Sequence, residues 1–87
     1  MGEHKSKAII LASGPGDARQ RDQILSLIEE SLKPFTLTIL DSQSIAISNR
    51  VIIGVEIGLD PAHAAAIESD IQEVLKEKNF DVALELL

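Results

Sequence analysis

FTLTILDSQSIAISNRVIIGVEIG, residues 35–58, is the stretch that decides the fold. From Phe35 the apolar residues recur at every second position. Phe35, Leu37 and Ile39 alternate with Thr36, Thr38 and Leu40, the period of a strand with two unlike faces. The polar run Asp41-Ser42-Gln43-Ser44 interrupts it, and Ile45 and Ile47 resume it. An interruption of that kind predicts a bulge or bend inside one long strand. Ser48-Asn49-Arg50 predicts a tight turn, because Asn tolerates the left-handed backbone region. Val51, Ile53, Val55 and Ile57 then line one face of a further strand, and Ile52, Gly54, Glu56 and Gly58 line the other. Two alternating segments joined by a short polar turn make a hairpin.

Helical patterns flank the hairpin. On its N-terminal side, DARQRDQILSLIEESL places Ile24, Leu27, Ile28 and Leu32 at helical spacing, with Leu25 beside the stripe. Asp17 predicts an N-cap, with Gln20 three residues on in the manner of a capping box, and Lys33-Pro34 ends the helix. On the C-terminal side, Asp60-Pro61 opens a second helix, Asp as N-cap and Pro at the first helical position. Its expected buried stripe is Ala64, Ile67, Ile71, Val74 and Leu75, while Glu68, Asp70, Glu73, Lys76 and Glu77 read as a solvated face.

The ends of the chain add two strands. Lys7 to Ala12 is a short β-branched run that Ser13-Gly14-Pro15-Gly16 is expected to stop. Phe80, Val82, Leu84 and Leu86 alternate with Asp81, Ala83 and Glu85 as a last strand. Residues 1–6 are expected to be a flexible N-terminus and 7–87 one folded domain.

The order is β-α-β-β-α-β, the split βαβ pattern. It predicts an α+β, ferredoxin-like βαββαβ sandwich: a four-stranded antiparallel sheet with two helices on one face. The opposite face, expected to carry Ile10, Thr38, Ile52 and Gly54, has no helix of its own. A domain of 87 residues buries a modest share of its unfolded surface. A partner, most simply a second copy in a homodimer, is therefore expected.

Composition narrows the function. Eight basic residues stand against fourteen acidic ones, and Tyr and Trp are absent. That balance argues against nucleic acid, which needs a basic surface and usually stacking aromatics. No apolar run approaches the ~20 residues of a membrane-spanning helix, and no signal-peptide pattern opens the chain. A cytoplasmic location is the default expectation. The chain reads equally as a whole small protein or as a piece of a longer one.

Catalytic patterns are missing. With no Cys, thiolate metal sites and thiol nucleophiles are excluded. An acyl-phosphate hydrolase of this fold needs an Arg and an Asn around a Gly-rich cradle. Arg19, Arg21, Asn49 and Arg50 are present without that motif. His4 lies in the polar start, and His63 reads as a solvated residue in the first turn of the second helix. No nucleophile, base and orienting group share a recognisable pattern. The chain by itself is not expected to be an enzyme, and no cofactor or metal is called for.

One loop remains, Ser13-Gly14-Pro15-Gly16-Asp17. Two glycines free the backbone beside the N–H groups of a helix start, a combination that favours a carboxylate or phosphate. Asp17 either caps the helix or receives a ligand's ammonium group. A Gly-rich turn into a capped helix explains the same residues without a ligand.

A strand ending in Gly, an Asp just beyond it, then helix, long hairpin, helix and strand resembles the ACT domain, a small regulatory module that binds amino acids. The likeness is greatest to the N-terminal ACT domains of phosphoserine phosphatases. It is most specific from Gln43 to Val55, where Gln leads an Ile-rich strand into a turn ending in Arg50 and an apolar-apolar-Gly-Val strand. Phe80-Asp81-Val82-Ala83-Leu84-Glu85 resembles that family's last strand. The ligand loop is longer here than in the family pattern, and its later Gly is absent. The resemblance implies a dimer with a ligand such as serine near the interface. The ligand's carboxylate would meet N–H groups around Gly14 and Gly16. Its ammonium would meet Asp17 or the partner's long strand near Gln43. The aspartyl-nucleophile motif of the phosphatase reaction is absent from the chain. The alternative is a ligand-free dimerisation module of the same fold.

Overall fold

The computed structural model describes residues 6–87, so His4 lies outside the described residues. The elements run β1 (Ser6–Pro15), α1 (Ala18–Leu32), β2 (Leu37–Ile47), β3 (Arg50–Leu59), a 3₁₀ turn (Pro61–His63), α2 (Ala64–Lys76) and β4 (Asp81–Leu86). The sheet order is β2-β3-β1-β4, and every neighbouring pair is antiparallel. This is the expected ferredoxin-like arrangement.

The core lies between the sheet and the two helices. Ile24, Ile28 and Leu32 of α1 and Ile67, Ile71 and Leu75 of α2 are buried against Ala8, Ile10 and Ala12 of β1 and the odd-numbered residues 51–59 of β3. At ~1.5–3 kcal/mol for each large side chain removed from water, this single layer supplies most of the driving force. One apolar position of the expected stripes stays outside. Val74 is exposed, because Ile71 and Leu75 already occupy the sheet-facing line of α2. Ile10 belongs to the helix-covered face and is buried, not on the open face as the sequence suggested. Ile9 and Leu11 face outward instead.

The hairpin carries a bulge and a two-residue turn. The register slips between Ile39 and Asp41, leaving Leu40 as the extra residue. Before the slip, odd positions share a face with buried β3 residues, as in Ile39 opposite Ile57. After it even positions do, as in Ser44 opposite Ile53 and Ala46 opposite Val51. Ile45 and Ile47 therefore point to the open face. Ser48 and Asn49 both have positive φ, 50° and 59°, the geometry of the hairpin turn whose twist matches the strands.

The first strand runs further than its sequence implied. Gly14 and Pro15 still pair with Val51 and Arg50, so the Ser-Gly-Pro-Gly run ends the strand only at Gly16. At the other end the strand starts at Ser6, opposite Leu59, one residue earlier than expected.

The outer edge of β4 is closed by α2. The Leu84 N–H donates to the Glu68 carboxylate at 2.9 Å, and the Gln72 amide donates to the Val82 carbonyl at 3.1 Å. Glu68 is thus an edge cap and not part of a merely solvated face. His63 likewise departs from the solvated reading. Its ring lies 6.2 Å from that of Phe35, and its Nδ1 is buried with no partner among the described residues.

Candidate ligand site

The loop after β1 leads into a box-capped helix. The Asp17 carboxylate accepts from the Gln20 N–H at 3.1 Å, and the Gln20 side chain accepts from the Asp17 N–H at 2.9 Å. One residue earlier, the Gly16 N–H donates to the Asn49 carbonyl at 2.9 Å. That bond ties the loop to the hairpin turn. Gly16 has φ +150°, and a Cβ there would stand 2.9 Å from the Gln20 Cβ. Glycine is required at this position by both backbone and space.

These bonds decide what the loop has left to offer. The N–H groups of Gly16 and Asp17 are already committed within the chain. Among the described residues nothing accepts from those of Ala18 and Arg19, which point out of the first turn of α1. Gly14 is buried inside β1. A methyl group there would lie 2.6 Å from the Phe80 ring, so the ring covers it and no ligand can reach it directly.

Around the loop is a cleft of about 470 Å³, within the usual size range for a small-molecule site. Pro15, Gly16, Asp17, Gln20, Gln23 and Ile24 line one side, and Asn49, Lys78, Asn79 and Phe80 line the other. The end of α2 places the second group. The N–H groups of Lys78 and Asn79 donate to the Leu75 and Lys76 carbonyls at 3.0 and 3.1 Å. Asn79 then turns through the left-handed region at φ 63°, as helix C-termini commonly do. The reversal brings Lys78 to the cleft and folds Phe80 back over Gly14.

A family model described as ACT domain matches residues 7–85. The chain belongs to the ACT domain family. Solved structures share the fold of this ACT domain. An ACT domain protein from Streptococcus pneumoniae aligns at TM-score 0.71 and 13% identity, covering 93% of this chain and 89% of that one. A protein of unknown function from Galdieria sulphuraria aligns at TM-score 0.77 and 13% identity, over 94% of this chain and 44% of its own. Formyltetrahydrofolate deformylase from Burkholderia mallei aligns at 0.77 and 10% identity, over 92% of this chain and 28% of its own. The ACT domain thus spans less than half of these last two proteins. No curated protein matches the sequence.

Of the four residues singled out from the sequence, the ACT domain brings Gly16 and Asp17 into the cleft. Gln43 lies elsewhere, in a smaller depression on the open sheet face with Ile9, Asp41, Ser42, Gly54 and Glu56. Within one chain it does not join Gly16 and Asp17. Sequence reasoning missed Lys78 and Asn79, and it considered Asn49 as a turn residue and in an incomplete hydrolase set, not as part of this cleft. The available signal was the polar Lys-Asn pair directly after the helical stripe of α2, which marks a helix end that turns back. Among the described residues, no three His, Asp or Glu side chains gather as metal ligands, and no helix is long and apolar enough to cross a membrane.

Proposed function

We propose that this ACT domain senses a small zwitterion, an amino acid such as serine, in the cleft at the start of α1. The observation that carries the reading is the cleft's charge pattern. It holds one carboxylate, Asp17, and one ammonium, Lys78, among the amide side chains of Gln20, Gln23, Asn49 and Asn79. Lys78 and the N–H groups of Ala18 and Arg19 suit an α-carboxylate, with the dipole of α1 adding to the attraction. The outer oxygen of Asp17 suits an ammonium group. The amides suit a short polar side chain, and Pro15, Ile24 and Phe80 give the cleft an apolar wall beside them.

The test is calorimetric titration with serine, glycine and phosphoserine. Serine offers few atoms, each worth at most ~1.5 kcal/mol before the cost of association, so micromolar-to-millimolar affinity is expected. Lys78→Met removes the carboxylate partner and should weaken binding by about tenfold or more. Asp17→Asn keeps a capping group while weakening the ammonium contact. Absence of heat with all three ligands at several millimolar would leave the ligand-free dimerisation module in its place.

The finer reading is that the domain regulates a phosphoserine phosphatase of serine biosynthesis. It rests on the likeness of Gln43–Val55 and Phe80–Glu85 to that family. Its test is the natural reading frame, which should continue into an aspartyl-nucleophile phosphatase domain. A frame without one would remove the phosphatase parent and leave the sensor reading untouched.

A further inference from the structure

Beyond Asn79 the surface dips a second time. Between the last turn of α2 and the start of β4 lies a depression of about 530 Å³, lined by Gln72, Lys76, Asn79, Phe80, Asp81 and Val82. Asn79 and Phe80 also line the cleft at the start of α1, so the two hollows adjoin across these residues. The Gln72 amide nitrogen donates to the Val82 carbonyl at 3.1 Å, which ties α2 to β4 beside the depression and leaves the amide oxygen to accept.

The charges repeat from one hollow to the next. The cleft carries Asp17 and Lys78, and the depression carries Asp81 and Lys76. Among the described residues none of the four is in an ion pair. Residues two apart at a helix end do not face each other, so Lys76 and Lys78 serve different hollows. The helix dipole favours a cation in the last turn of α2, where Lys76 stands, but it gives no reason for Asp81 in the same hollow. Each hollow thus offers one carboxylate, one ammonium and carboxamide side chains.

We propose that the ligand of this ACT domain has two α-amino-acid heads joined by a short methylene chain, one head in each hollow. The inference rests on the zwitterion reading of the cleft and extends it to the depression. A single zwitterion answers two of the four charges. An amino acid with a second carboxylate answers Lys76 and sets like charge against Asp81, and one with a second ammonium does the converse. A second complete head answers both. The link between heads crosses Asn79 and Phe80, the residues the hollows share, so it is short. Held by that link, the second head binds at a high effective concentration. Its ion pairs lie at exposed residues, where each adds modestly, and together they should tighten binding about tenfold.

Calorimetry of the whole chain with 2,6-diaminopimelate, in its LL and meso forms, tests the proposal. Serine supplies the single head for comparison. Lysine is the same molecule without the second carboxylate, and 2-aminopimelate is the same molecule without the second ammonium. One form of diaminopimelate should bind at one molecule per chain, about tenfold tighter than serine, with lysine and 2-aminopimelate close to serine. Lys76→Met and Asp81→Asn change exposed side chains and should keep the fold by circular dichroism. Each should bring the ratio of diaminopimelate to serine affinity down toward one. Serine binding with diaminopimelate no tighter, or diaminopimelate bound at two molecules per chain, would overturn the two-headed ligand and leave the sensor reading standing. A diaminopimelate preference unmoved by both substitutions would overturn it as well, since the second head would then lie elsewhere. Absence of binding by all four compounds would remove both readings together.

Discussion

Gly14→Ala is a single methyl group added at a place where the backbone would welcome it. Gly14 is a regular β1 residue, and Gly16 is the glycine with positive φ, so alanine brings no backbone strain and would by itself favour folding slightly. The obstacle is Phe80. The new carbon would lie 2.6, 2.7 and 2.9 Å from three ring atoms, against about 3.5–4.0 Å for a relaxed carbon contact. The ring must retreat by roughly 1 Å, yet it is only 8% exposed and packs into the core. Overpacking of this kind costs about 1–3 kcal/mol. For a chain of 87 residues, an unfolding entropy of about 2.1 cal/mol/K per residue makes ~2 kcal/mol a loss of roughly 10 °C in Tm. The assay is chemical denaturation of a double-mutant cycle with Phe80→Leu, which removes the ring and with it the clash. Gly14→Ala should then cost little, giving a coupling of at least about 1 kcal/mol. Additivity within ~0.5 kcal/mol, or a wild-type Tm for Gly14→Ala alone, would refute the claim that Gly14 exists to receive Phe80.

Other positions give shorter tests. Asn49→Val should lower stability by about 1–2 kcal/mol in urea melts, since a β-branched residue is forced to positive φ, whereas Asn49→Gly should be neutral or stabilising. Gly16→Val should unfold the loop as well as remove ligand binding, so its melting temperature falls with or without ligand present. Glu68→Ala should strip the β4 edge of its carboxylate acceptor, speed hydrogen exchange at the Leu84 amide and cost about 1 kcal/mol.

The hairpin was legible because its period of two, its polar interruption and its Asn-containing turn are local signals that agree with one another. The helix caps at Asp17 and Asp60 were legible for the same reason, although the second opens a 3₁₀ turn before α2. What failed was whatever depends on register. The bulge at Leu40 inverts which β2 residues face the helices. An alternating pattern alone does not say on which side of a bulge the inversion falls. The sequence pattern puts Ile10 on the wrong face because the pairing of β1 with β3 is a long-range fact. At the site, Gly14 looked like a loop glycine because Gly-Pro-Gly is a strong stop signal. Its real constraint, the Phe80 ring, comes from the far end of the chain. Lys78 and Asn79 escaped notice because they reach the cleft only through the reversal after α2. In the sequence Asp17 suits both a cap and a ligand group, and its bond with Gln20 establishes the first role while leaving one carboxylate oxygen for the second.

The measurement that bears most directly on the sensor reading is an amide chemical-shift titration of the whole chain with serine. Saturable shifts should appear at Gly16 to Gln20, at Asn49 and at Lys78 to Phe80, and they should be lost in Lys78→Met. Amides of these residues that stay still at several millimolar serine, glycine and phosphoserine, or shifts confined to the open face around Gln43 and Gly54, would contradict it.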